Sequence, residues 1–223
     1  VLVESIVSTD MAKAIAKAYD VELVEVLTGF KYIGEQIKFF EQQNSYEYVF
    51  GLEESYGCLA GTYARDKDAC VAVMMLCEVA AWCKSNGITL WDDMLSLYGK
   101  YGYYKEGLET MTLKGMDGAE KIQSMMNEMR NNPPKKIGAW DVLALRDYKK
   151  DTRTDMTGGE VTPTGLPESN VLYYELSNNA WCCVRPSGTE PKIKFYVGVK
   201  GDTLDGADQM LEELKAEVLK HFE

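Results

Sequence analysis

The sequence predicts an α/β protein: a three-layer α/β domain on a mainly parallel sheet, followed by a small α+β domain whose antiparallel sheet is covered by helices. Three observations carry this. Near-continuous apolar runs alternate with helical-period segments through the first part of the chain, the pattern of a parallel sheet clothed by helices. Beyond the polar, proline-bearing stretch Asn131–Lys136 the hydrophobic period changes to two. A clean amphipathic helix then closes the chain.

Val1 to Val7 is almost wholly apolar and reads as a strand buried on both faces. Ser8, Thr9 and Asp10 can cap the helix that follows, to about Tyr19. Val21 to Leu27 reads as a second buried strand, broken by Thr28-Gly29. Phe30 to Gln43 carries Ile33, Ile37 and Phe40 at helical spacing, and Tyr46 to Phe50 reads as a third strand. The loop 51–67 follows, where α/β sheets place ligands, beyond the carboxyl ends of their strands. Asp68 opens a long helix to about Asn86, with Val71, Met74, Met75, Val79 and Trp82 on its apolar side. Thr89 with Asp92 has the spacing of a capping box, and Asp117 with Glu120 marks another helix start. Ile122, Met126 and Met129 give that helix its buried stripe. Asn131–Lys136 then reads as a domain boundary, dividing the chain into 1–132 and 133–223.

In the second part Asp141 to Tyr148 reads as a strand and 149–167 as a long polar loop. Val171 to Leu176 and Ala180 to Arg185 flank Ser177-Asn178-Asn179 as a hairpin. Ile193, Phe195, Val197 and Val199 alternate with Lys192, Lys194, Tyr196 and Gly198, which predicts one buried and one wet face. Leu204, Ala207, Leu211, Leu214, Val218 and Phe222 make the covering helix.

Composition narrows the function. The chain has 223 residues, 46% hydrophobic and 26% charged, with a formal net charge of −11. Nucleic acid and anionic membrane are disfavoured as partners, because both need a basic surface. No apolar run has membrane-spanning length, and no signal peptide is apparent. The six cysteines form no C-x-x-C pair and read as reduced core thiols of a cytoplasmic protein. His221 is the only histidine, so a Ser-His-Asp triad, a Cys-His pair or a usual zinc site is disfavoured. Val1 opens directly inside an apolar run, which reads as a chain cut from something longer.

Two loops carry chemistry. In V-R-P-S-G-T-E-P, Val184 to Pro191, Arg185 offers a planar fork of donors that matches two phosphate oxygens. Ser187 and Thr189 add hydroxyls, and Gly188 can take positive φ so that backbone N–H groups converge on an anion. A hairpin loop with a surface arginine reads equally well on chemistry alone. In F-G-L-E-E-S-Y-G, Phe50 to Gly57, Glu53 and Ser55 share one side of an extended loop, with Glu54 opposite. A carboxylate there can accept from two neighbouring sugar hydroxyls; an acidic surface loop is the plainer reading. Glu53 and Glu54 side by side do not provide the facing carboxylates of a glycoside hydrolase.

Taken with T-G-F-K (Thr28 to Lys31) and R-D-K-D (Arg65 to Asp68), these loops make the chain resemble the C-terminal part of the α-D-phosphohexomutases, the phosphoglucomutase and phosphomannomutase family. The loop wording is most similar to bacterial phosphoglucomutases and also to phosphopentomutases. The resemblance covers nearly the whole chain and implies domains 3 and 4 of a four-domain enzyme. It implies that Glu53, Ser55, Thr28 and Gly29 bind the sugar and that Arg185, Ser187, Gly188, Thr189 and Lys67 bind phosphate. Arg65 and Lys31 are weaker candidates, readable as solvated surface cations. The activity implied is interconversion of glucose 1-phosphate and glucose 6-phosphate through a hexose 1,6-bisphosphate and an enzyme phosphoserine. Mannose or pentose phosphates, or a non-catalytic phosphosugar- or anion-binding module, are the alternatives. No T-A-S-H-N-P-like serine loop and no D-x-D-x-D-R-like magnesium loop is present in the sequence. The resemblance therefore places the phosphoserine and the Mg2+ ligands in N-terminal domains outside this chain, and implies that the chain alone is inactive.

Overall fold

The computed structural model describes residues 1–113, 117–188 and 190–222. The opening apolar run forms β1 (Leu2–Ser5), which lies between β2 (Leu23–Val26) and β3 (Phe50–Leu52), parallel to both. A fourth strand, β4 (Cys58–Ala60), pairs antiparallel with β3 and completes the order β2-β1-β3-β4. The sheet is thus mainly parallel with one antiparallel edge. Residues 46–49, expected as strand, precede the ladder: β1 begins at Leu2, whose partner is Phe50. β4 lies inside what reads as loop, because a three-residue strand has no length over which a period can show.

Helix α1 (Asp10–Ala18) starts at Thr9, whose hydroxyl accepts from the Met11 N–H at 3.2 Å. Helix α2 (Phe30–Gln43) buries Phe30, Ile33, Ile37 and Phe40 against Val1, Val3, Val26, Tyr48 and Leu59. Helix α3 (Ala69–Ser85) is capped by Asp68, which accepts from the Cys70 N–H at 2.8 Å. Helix α4 (Leu90–Tyr101) has the expected capping box, with Thr89 Oγ1 accepting from Asp92 N–H at 3.1 Å and Asp92 Oδ2 accepting from Thr89 N–H at 2.8 Å. The burial expected of α3 is not found. Met74, Val79 and Trp82 are exposed and, within α3, only Cys83 is buried. An apolar groove of about 590 Å³ lies beside it, lined by Leu2, Met11, Ile15, Phe50, Met75 and Leu97 among others.

The chain divides into two units between Tyr103 and Tyr104, not at 132/133. Strand β5 (Tyr103–Thr112) and helix α5 (Gly118–Asn131) therefore belong almost wholly to the second unit. The reason is packing: Ile122, Met126 and Met129 of α5 sit in one hydrophobic cluster with Leu172, Val184, Ile193 and Phe195. The prolines at 133 and 134 end a helix without ending a domain. Asp117 precedes α5 but makes no side-chain cap hydrogen bond.

The second unit is an eight-stranded sheet. β6 (Lys136–Ile137) pairs with β7 (Trp140–Asp147), and β8 (Thr152–Asp155) and β9 (Val161–Thr162) extend that edge. The last two lie in the stretch expected as loop. β10 (Leu172–Leu176), β11 (Trp181–Pro186) and β12 (Lys192–Gly201) run antiparallel beside β7, giving the order β5-β12-β11-β10-β7-β8-β9. Asn178 and Asn179 turn the β10–β11 hairpin with positive φ of 60° and 55°. Helix α6 (Leu204–Phe222) buries Ala207, Leu214, Val218 and Phe222, and Phe222 stacks on Phe195 with centroids 5.6 Å apart. The face of β12 expected to be wet is largely covered: Tyr196 and Gly198 are buried. Trp181 lies over Gly198, where a Cβ would stand 2.3 Å from the indole, and stacks on Tyr173.

All six cysteines are free thiols; Cys83, Cys182 and Cys183 are buried, whereas Cys70 and Cys77 are exposed on α3 rather than in the core. Among the described residues no single helix is long and apolar enough to cross a membrane.

Candidate functional site

The parallel strands of the first unit deliver Ser5, Thr28-Gly29 and Glu53 at their carboxyl ends, the edge at which this architecture binds ligands. Gly29 stands just before α2 with φ 117°, a backbone that a side-chain-bearing residue adopts only with strain, so the turn into the helix requires glycine. Phe30 follows as the first residue of α2, and Lys67 Nζ lies 5.6 Å from its ring centroid.

Glu53 opens the turn between β3 and β4, its N–H donating to the Gly57 carbonyl at 2.9 Å. Its side chain is only 7% exposed, and Oε1 lies 3.5 Å from Lys67 Nζ. A Cβ on Gly57 would stand 2.5 Å from Glu53 Oε1 and 2.7 Å from Lys67 Cδ. Gly57 is thus the residue that lets carboxylate and ammonium share this space. The loop is a turn over residues 54–56 rather than the extended segment expected, and the two glutamates go to different partners: Glu54 accepts from Ser5 Oγ at 2.7 Å, while Glu53 faces Lys67. Ser55 is exposed, and Tyr56, with φ 62°, carries the turn. The Lys67 ammonium also lies 3.3 Å from Asp66 Oδ1. Hydrogen bonding to Asp66, with the negative charge of Glu53 behind it, holds the ammonium above its ordinary pKa, so it stays a cation at neutral pH.

The weaker candidates go elsewhere. Arg65 donates to both carboxylate oxygens of Glu41 at 2.7 Å and to the carbonyls of Thr62 and Ala64, a clip between a loop and α2. Lys31 Nζ sits 4.6 Å from the Tyr32 ring centroid.

In the second unit Arg185 stands half-buried near the end of β11, in register with Lys194. The turn beyond it is closed by the Ser187 N–H donating to the Lys192 carbonyl at 2.7 Å. Arg185, Ser187 and Gly188 line a cavity of about 440 Å³ together with Gln123 and Asn170. Gly188 is exposed with open space around it and does not take the positive φ open to it. The Ser187 N–H is engaged by the Lys192 carbonyl, and among the described residues Arg185, Ser187, Gln123 and Asn170 bring side-chain donors to the cavity lining. Thr189 lies outside the described residues. Gln123 and Asn170 carry no motif, and only the packing of α5 and the segment before β10 brings them to the arginine. The first unit thus presents a carboxylate with the chemistry to accept from hydroxyls, beside a cation. The second presents a guanidinium fork and amides suited to an oxyanion.

Comparison with known proteins gives the following. Residues 1–101 match the family model described as phosphoglucomutase/phosphomannomutase, alpha/beta/alpha domain III. The chain is 36% identical over 213 residues to a phosphoglucomutase of Staphylococcus epidermidis, covering 96% of this chain and 38% of that protein. A phosphoglucomutase of Staphylococcus aureus (strain MRSA252) matches at 36% identity over 213 residues, with 96% and 38% covered. The chain thus spans about 38% of the length of these curated relatives. Its fold is shared with the crystal structure of pp63/parafusin, a phosphoglucomutase from Paramecium, in its open form, with a TM-score of 0.62 and 15% identity, covering 99% of this chain and 38% of that one.

Proposed function

We propose, from the similarity of residues 1–101 to the phosphoglucomutase/phosphomannomutase domain III model and of nearly the whole chain to bacterial phosphoglucomutases, that the chain is a C-terminal part of an α-D-phosphohexomutase and the substrate-recognition half of a phosphoglucomutase. In this reading the whole enzyme interconverts glucose 1-phosphate and glucose 6-phosphate in the cytoplasm. The reaction runs through a hexose 1,6-bisphosphate, with a phosphoserine contributed by other domains. Mg2+ would be held by those domains too. Among the described residues no three His, Cys, Asp or Glu side chains gather as a metal site.

The observation that carries the reading is the Glu53–Lys67 pair at the carboxyl edge of the parallel sheet, with Gly57 making room for it. Glu53 accepts hydrogen bonds from adjacent ring hydroxyls, and Ser55 adds a hydroxyl contact. Thr28 and Gly29 approach the ring. Lys67 stays protonated and meets phosphate oxygens, while Arg185 and Ser187 hold phosphate in their cavity. A bisphosphate that reacts from either end needs contacts common to both orientations, and a carboxylate reading ring hydroxyls is one. Phosphoryl transfer depends on positioning and on charge stabilisation, which these groups supply without taking part in bond making.

The test is kinetic, in the full-length protein. A hydrogen bond to a charged group contributes about 1.5–3 kcal/mol, so Glu53→Gln lowers kcat/KM for glucose 1-phosphate about 10- to 100-fold. Arg185→Ala raises KM sharply and also lowers kcat/KM. Unchanged kinetics in both variants refutes the assignment. Comparing kcat/KM for glucose 1-phosphate, mannose 1-phosphate and ribose 1-phosphate separates the phosphoglucomutase reading from the phosphomannomutase and phosphopentomutase readings.

A further inference from the structure

We propose that Asn170 is a phosphate-binding residue of the Arg185 cavity, and that the buried Arg130–Asp147 ion pair is the device that aims its amide. The inference rests on the reading of that cavity as a phosphate site. Arg130 is 8% exposed and Asp147 3%. Arg130 Nε lies 3.0 Å from both carboxylate oxygens of Asp147, and Nη1 donates to the Met126 carbonyl at 3.3 Å. Asp147 Oδ1 also accepts from the Lys149 N–H at 3.1 Å. The guanidinium is therefore fixed by α5 and β7 together. Its remaining nitrogen, Nη2, donates to Asn170 Oδ1 at 2.7 Å.

That bond decides the amide's orientation. Arginine has donors and no acceptor, so it must meet the oxygen of the amide and not the nitrogen. Asn170 Nδ2, with two N–H donors, is left on the other side, and among the described residues it has no hydrogen-bond partner. Asn170 lines the same cavity as Arg185, Ser187 and Gly188. The backbone holds the residue there too: Ser169 N–H donates to the Tyr148 carbonyl at 3.2 Å and Tyr148 N–H to the Val171 carbonyl at 3.1 Å. Glu190, the carboxylate that also borders the cavity, is paired with Lys192 at 3.0 Å.

A buried ion pair stabilises a fold no more, and often less, than well-packed apolar residues of the same volume. What this one adds is direction: it turns a neutral side chain into a fixed pair of donors. Such donors cost no reorganisation when an oxyanion arrives.

The experiment is an NMR titration of the chain with inorganic phosphate, following the Ser187 and Gly188 amides for affinity and the Asn170 side-chain NH2 signal for contact. In the parent the Asn170 NH2 signal moves with the same saturation as the backbone amides. Asn170→Asp keeps the oxygen facing Arg130 and replaces the donors by an anionic oxygen. It weakens phosphate at least tenfold with no fall in melting temperature. The double variant Arg130→Met, Asp147→Leu removes both charges together, keeps the fold, and uncouples the Asn170 NH2 shift from phosphate. If Asn170→Asp binds phosphate within twofold of the parent while Arg185→Ala has lost it, the role of Asn170 is overturned and the cavity assignment stands. If Arg185→Ala also binds normally, or the parent shows no saturable binding, the cavity assignment falls and this inference falls with it.

Discussion

The two units handle their apolar residues differently. The second closes its own core: α5, α6 and the central strands share one cluster in which Met126, Leu172, Ile193, Phe195 and Leu214 have no exposed surface. The first packs the α2 side of its sheet tightly and leaves much apolar surface of α3 and α4 exposed. Against α2, Val3, Ile33, Ile37 and Leu59 are fully buried. On α3 and α4, Val73, Met74, Leu76, Trp82 and Trp91 each leave more than half their surface exposed. Yet α3 and α4 are as well capped as any helix in the chain, by Asp68 and by Thr89 with Asp92. Capping and propensity make a helix; they say nothing about what its apolar face meets.

Substitutions can break or sharpen that contrast. The largest effect is expected at Phe195→Ala in the closed core, about 3–5 kcal/mol in urea unfolding, since it removes a fully buried ring stacked on Phe222. Ile37→Ala, on the closed side of the first unit, costs about 2–5 kcal/mol. A loss under about 1 kcal/mol there, against the cavity cost usual for a core site, would mean that neither face of that sheet is tightly packed. Val79→Lys on α3 changes stability by no more than about 0.5 kcal/mol, as surface substitutions do. A large loss would show that α3 is covered after all. The smallest effect is local. Hydrogen bonds from Thr157 and Gly158 hold the Asp155 carboxyl down to about 2. Because the folded value is depressed, this support is complete above the unfolded value near 4 and is lost as pH falls through about 2. Carboxyl chemical shifts of Asp155 followed through that window, with Gly158 amide exchange alongside, test it; a midpoint near 4 would remove the assignment.

The candidate site was legible in part. Glu53, Lys67, Arg185 and Ser187 lie in short motifs whose residue types already state their chemistry. Gly57 reads as a turn glycine, and only its distance from Glu53 Oε1 and Lys67 Cδ shows that it clears space for an ion pair. Gly188 has the freedom to take positive φ and does not use it; the turn is closed by the Ser187 N–H donating to the Lys192 carbonyl. Arg130, Asp147 and Asn170 lie in three separate elements and nothing local marks them as partners.

By itself the sequence determined the strand–helix alternation of the first unit, most helix starts, the hairpin at Ser177–Asn179 and the switch to period two. Each of these is written in residues a few positions apart, which is the range over which caps, turns and periodicity act. Tertiary structure alone decided the short strands β4, β8 and β9, the division at Tyr103/Tyr104 rather than at the prolines, and which helix faces are buried. Those depend on pairing and packing between residues far apart in the chain. No local pattern encodes a contact whose other half lies fifty residues away.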